Sequence, residues 1–167
     1  MLSIKKCSVP TDTLLHRYLS NDTYADCYCT EISRHVSFPE FIFTFYTTPL
    51  FKLERFILTW TVAKSSTDKQ ARELADCERE DFAAWTVENR RENEILVCDY
   101  QSRTRSWLSV VPAGDSQTRL YFGSAVVPGP KSKKGKSSLG YMFEALLGFH
   151  RLYSVLLLYS ARSTLKR

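Results

Sequence analysis

Residues 140–161, GYMFEALLGFHRLYSVLLLYSA, decide the fold class of this chain. The stretch is apolar almost all the way round, with His150 and Arg151 near its middle. A helix of that kind must bury its surface against a bilayer, a partner, or a sheet built by the rest of the chain. Leu139 to Tyr159 reaches the roughly 20 residues that a membrane span needs, and positive residues flank it on both sides. Against a span stand Glu144, His150 and Arg151; on insertion scales a central arginine costs about 2.5–3.5 kcal/mol. The residues upstream offer a sheet whose apolar face needs a cover, including Trp85, Val87, Leu108 and Val110. The tail is therefore expected to lie across that sheet, with no membrane span. A membrane-associated protein anchored by residues 139–161 is the alternative.

The sheet comes from the pattern. Tyr24 to Ile32 alternates and reads as a first strand. Ser37 to Glu40 (SFPE) is a capping-box start with proline in the first turn, opening a short aromatic helix from Glu40 to Tyr46. Thr48 and Pro49 start a second helix to about Val62, with Leu50, Leu53, Phe56, Ile57 and Trp60 on one side. Thr67 to Gln70 caps a third, polar helix with an inner stripe of Ala71, Leu74 and Ala75. After Asp81 the period falls to two. Phe82 to Asn89, Glu94 to Tyr100, Arg103 to Val111 and Arg119 to Val127 read as strands joined by short connectors, which favours an antiparallel meander. The expected class is α+β: a curved antiparallel sheet wrapped around a long C-terminal helix, with two or three short helices after the first strand. One domain spans residues 1–167, with 1–21 a loose N-terminal segment and 128–138 a basic loop before the tail helix.

Composition narrows the function classes. A hydrophobic content of 44% and a charged content of 25% suit a globular core and exclude global disorder. Aromatics reach 13%, enough to fill a bulky core or to wall an apolar pocket. The net charge of +5 concentrates in Lys131, Lys133, Lys134, Lys136, Lys166 and Arg167, so the sequence alone leaves open a contact between the basic loop and an anionic surface. Cys7, Cys27, Cys29, Cys77 and Cys98 are odd in number, and MLSIKKCSVP has no apolar signal region; reduced thiols in the cytoplasm are expected. Cys27 and Cys29 share one strand face without zinc-like spacing. GxGxxG, P-loop, GxSxG, HExxH and CxxC patterns are absent, so neither a metal nor a cofactor is expected. Trp85, Trp107 and Tyr121 lie near arginines but lack the signature of RNA-binding sheets, so no nucleic acid partner is expected.

The element order, with the tail helix gripped by a curved antiparallel sheet, resembles the helix-grip superfamily (SRPBCC) of START domains, polyketide cyclases and birch-pollen-allergen-type proteins. The likeness covers roughly residues 24–163 and is one of architecture. FAAWTVENR, TRSWLSVVP and TRLYFGSAVV also resemble segments of bacterial proteins of unknown function. Two departures stand out: five strands instead of six or seven, and the extra helix at Thr67 to Ala75. The missing strands are sought in residues 1–21 or in a split of one strand. The resemblance implies an apolar cavity between sheet and tail helix for a hydrophobic, lipid-like or aromatic ligand, and so a carrier or sensor. A cyclase- or dehydratase-type enzyme is the alternative.

Candidate site residues follow from position. His150, Tyr153, Ser154 and Leu157 fall on one face of the tail, with Phe149 beside them. His150, with Tyr153, is the candidate acid–base group; otherwise it is a hydrogen-bonded core histidine. Arg103, Arg105 and Trp107 share a strand face, as do Arg119 and Tyr121 on a later strand and Glu88 and Arg90 on an earlier one, and Trp85 is a further aromatic candidate near arginines. If these faces coincide, a row of Arg and Glu crosses the sheet. On the cavity side it binds a carboxylate or phosphate, and on the solvent side it is a cross-strand charge ladder. Arg55, next to Glu54 in the second helix, has the same two readings. A ligand site requires a cavity of about 300 Å³ or more.

Overall fold

A computed structural model describes residues 4–19, 23–62, 65–127 and 139–166. The strands are β1 (Lys5–Lys6), β2 (Tyr24–Ile32), β3 (Asp81–Phe82), β4 (Trp85–Arg91), β5 (Glu94–Asp99), β6 (Thr104–Pro112) and β7 (Thr118–Val126). The helices are α1 (Phe38–Thr47), α2 (Pro49–Val62), α3 (Asp68–Ala75) and α4 (Leu139–Leu165). All seven strands form one open antiparallel sheet in the order β1-β2-β7-β6-β5-β4-β3. The class is α+β. The two strands beyond the five expected are both two residues long. One lies in the N-terminal segment. The other arises because the stretch Phe82 to Asn89 is split by a turn at Ala83, whose φ of 52° takes it into the left-handed region.

Local chemistry explains where the helices start. Ser37 Oγ accepts from the Glu40 amide at 3.3 Å. Arg34 holds the Glu40 carboxylate at 2.7 Å and keeps its carboxyl below the usual range. Thr48 Oγ1 caps α2 through the Phe51 amide at 3.2 Å. Thr67 and Gln70 close a complete capping box on α3.

The period-two strands give the sheet two different faces. The inner face carries Tyr28, Ile95, Val97, Leu108, Leu120 and Phe122 against α1, α3 and α4. Ring pairs such as Phe45–Phe122 (5.0 Å) and Tyr46–Phe51 (4.9 Å) fill the space between. The outer face carries Cys27, Leu96, Trp107 and Ala125, and Cys7, Val9, Leu14, Leu15 and Tyr18, from a segment read from sequence as loose, pack across it with Leu14 and Leu15 buried. Buried Glu94 fixes that strap: its Oε2 accepts from the Leu14 amide at 2.9 Å and from Trp107 Nε1 at 2.6 Å. Cys7 adds its thiol, 3.5 Å from that of Cys27. The hydrogen bond with Cys27 brings Cys7 down to about 7, and all five cysteines are free thiols.

Gly123 sits under the strap. A Cβ there would meet Leu15 Cδ2 at 2.4 Å, with the Asp26 carbonyl and Trp107 each at 3.1 Å. Gly123→Ala is expected to lower stability by about 1–3 kcal/mol, read as a shift in the urea midpoint. An unchanged midpoint would show that Leu15 gives way without cost.

Two expectations need correction. The tail is not buried all round: Ser154, Leu157, Leu158, Ala161 and Leu165 form the buried stripe, whereas Phe149, Leu152, Leu156 and Tyr159 are exposed. In α2 the apolar side read from sequence is largely the outer one. Leu53, Phe56, Ile57 and Trp60 are exposed, while Phe51 and Arg55 are buried. Among the described residues, no helix is long and apolar enough to cross a membrane. The basic loop 128–138 lies outside the described residues.

Candidate functional site

A cavity of about 260 Å³ lies between the inner sheet face, α1, α2 and α4. Its apolar wall is Phe45, Phe51, Trp85, Phe122 and Leu157 with the Tyr46 ring, and its polar residues include Glu54, His150, Tyr153 and Ser154. Thr104, Arg105 and Ser106 bring β6 to it. The volume falls short of the threshold of about 300 Å³ set from sequence, which counts against the lipid-like ligand expected there; the space suits a single ring or short chain.

The tail helix delivers His150, Tyr153, Ser154 and Leu157 to one wall, as their helical spacing requires. His150 Nε2 lies 2.6 Å from Ser124 Oγ, and Ser124 donates to Asp26 Oδ1 at 2.6 Å. Ser124 has one hydroxyl proton, and Asp26 receives it. The histidine contact must then be Nε2–H donating to Ser124, which leaves Nδ1 as the ring atom with a lone pair. Asp26 is itself buried and also accepts from the Tyr24 and Tyr28 hydroxyls at 3.0 and 3.5 Å. Arg151 donates to Tyr24 at 2.7 Å. The β2–β7 register, which sets Asp26 opposite Ser124, builds this chain.

Glu54 faces the same cavity from α2. Burial pushes its carboxyl up to about 7, against the opposing pull of a hydrogen bond from the Tyr153 hydroxyl. The same burial, with Glu54 nearby, raises Tyr153. Tyr46 is 2% exposed, and its hydroxyl has no hydrogen-bond partner.

The sequence candidates divide by face. His150, Tyr153, Ser154 and Trp85 line the cavity. Arg105 lines it too, but its guanidinium is taken by Glu88 at 2.8 Å and by the Tyr18 hydroxyl. Glu88 also holds Arg17 at 2.8 Å, and Arg119 pairs with Glu31 at 2.6 Å. Glu88, Trp107, Arg119 and Tyr121 belong to the outer face or its rim, so the Arg/Glu row is a charge ladder there. Strand parity puts Trp107 opposite Gly123, back to back with the cavity strands. Phe149 is exposed, stacked on Tyr153 at 6.0 Å. Arg55 is buried away from the cavity and ties α2 to the start of α3 through Ser66 Oγ at 2.9 Å and Asp68 at 2.7 Å.

Sequence reading missed Tyr46, Asp26 and Ser124, and it named Glu54 only together with Arg55, with cavity and solvent readings both open. The Glu54–Arg55 pair carried the signal, but the exposed apolar residues of α2 set the wrong phase. Asp26 and Ser124 are 98 residues apart and meet only through strand register. Among the described residues, no group of three or more His, Cys, Asp or Glu is placed to hold a metal ion.

The chain matches no protein-family profile and no curated protein. It is similar to the solved structure of a conserved protein of unknown function from Enterococcus faecalis, with a TM-score of 0.40 and 12% identity over 89% of this chain and 74% of that one.

Proposed function

We propose that the chain is a small-molecule-binding domain of the helix-grip type, a carrier or sensor whose ligand sits between sheet and tail helix. The observation that carries this reading is the aromatic-walled cavity of about 260 Å³ with Glu54 and His150 on its wall. The first long strand lying beside the last, with three helices between β2 and β3, supports the architecture. The ligand is compact, aromatic or short-chained, and carries at least one hydrogen-bonding group.

Native mass spectrometry of the purified chain tests this. A noncovalent adduct is expected, and it should disappear in Ser106→Leu, which adds volume on the β6 wall, at an unchanged melting temperature. Adduct retention in a folded Ser106→Leu chain would count against the cavity. A second reading, a cyclase- or dehydratase-type enzyme, is favoured by one observation: Glu54, titrating near neutral pH, and His150 line the same cavity. Recovery of a chemically altered ligand separates this reading from a carrier.

A further inference from the structure

We infer that the cavity selects a compact organic ammonium ion, an aromatic or cyclic primary amine whose cationic head sits between Glu54 and the aromatic rings. This inference rests on the small-molecule-binding reading and adds the chemical class of the ligand.

The polar groups are mainly acceptors. Glu54 presents a carboxylate above neutral pH, and among the described residues its hydrogen-bond donor is the Tyr153 hydroxyl. That hydroxyl proton is therefore already committed. His150 uses its Nε2–H on Ser124, and the remaining ring nitrogen can only accept in the neutral form. A primary ammonium carries three donors and no acceptor, which complements this set.

The charges agree. Glu54 brings a carboxylate to the cavity, with Asp26 behind His150. Among the described lining residues the one arginine is Arg105, and Glu88 and Tyr18 hold its guanidinium. An anionic ligand would therefore meet a carboxylate with no guanidinium turned to it. The rings add to the preference. Tyr46, Phe51 and Trp85 form a run of close aromatic neighbours at 4.9 and 5.6 Å. Ring faces attract a desolvated cation, and a box of them beside a carboxylate is the usual chemistry of ammonium recognition.

Three probes of the same size and different charge test the inference: benzylamine, benzyl alcohol and benzoate, titrated calorimetrically into the full chain above neutral pH. Benzylamine is expected to bind at least about tenfold more tightly than benzyl alcohol, the effect of one charge-assisted hydrogen bond, and benzoate more weakly than either. Glu54→Gln should bring benzylamine down to the affinity of the alcohol. Equal binding of amine and alcohol, or an amine preference that survives in a folded Glu54→Gln chain, overturns the ammonium inference and leaves the binding cavity standing. Failure of all three probes to bind overturns both.

Discussion

Trp107→Ala is expected to remove about 3–5 kcal/mol of stability, enough to unfold a large fraction of a marginally stable domain. Trp107 is fully buried on the outer sheet face, and its indole N–H is bonded to Glu94 at 2.6 Å. Truncation empties the space under Leu15 and removes one of the donors to a buried carboxylate. Arg91 and the Leu14 amide remain on Glu94 at 3.0 and 2.9 Å. Trp107→Phe retains the ring packing and loses the hydrogen bond, for about 1–3 kcal/mol. Urea midpoints measure both, and limited proteolysis within residues 4–19 reports whether the strap comes loose. Because Trp107 belongs to the outer face, ligand affinity in the folded Trp107→Phe chain should stay unchanged. A marked loss of affinity would return Trp107 to the binding site that the sequence suggested for it.

Glu54→Gln carries the second large effect, and its sign depends on pH. The folded carboxyl titrates at about 7, against an ordinary value of 4.5, chiefly because it is buried. The folded chain thus holds a proton that the unfolded chain has lost throughout that window. Stability from this group is present below about pH 4.5 and declines as pH rises to about 7, by on the order of 3 kcal/mol in all. Gln accepts from Tyr153 without ionising, so the variant should lack this decline and become the more stable chain above neutral pH. Glu40 and Asp68 shift the other way, lowered by Arg34 and by Lys52 with Arg55, so their contributions vanish below the window. Denaturation of parent and variant at several pH values isolates the Glu54 slope. Parallel curves would show that Glu54 stays ionised in the fold.

Much of the architecture was legible. The alternation from Trp85 onward, the caps at Ser37, Thr48 and Thr67, and the apolar tail led to an α+β sheet covered by helices. The one-face grouping of His150, Tyr153, Ser154 and Leu157 follows from helical spacing alone, and the four residues meet at the cavity. What escaped was whatever depends on which of two faces is inside. Arg105, Trp107, Arg119 and Tyr121 share a parity, but parity does not say which parity faces the helices. The strap decides it, since Leu14 and Leu15 claim the Trp107 face, and nothing periodic marks residues 4–19 as a layer. In α2 the aromatic content misled. Phe56 and Trp60 look like core residues, yet Arg55 is buried instead because Ser66 and Asp68 satisfy its guanidinium.

The two-residue strands at the rims of the sheet have a consequence for association between molecules. A sheet recruits foreign strands through unpaired backbone along its outermost members. Here one rim ends in Lys5 and Lys6, both exposed, and the other in Asp81 and Phe82. An approaching copy finds a ledge two residues long, guarded on one side by ammonium groups that repel their own kind. The nine-residue strand Tyr24–Ile32, which would template fibrous growth if bare, is partly capped by that ledge. The lysines at the start of the chain thus act as gatekeepers against self-assembly.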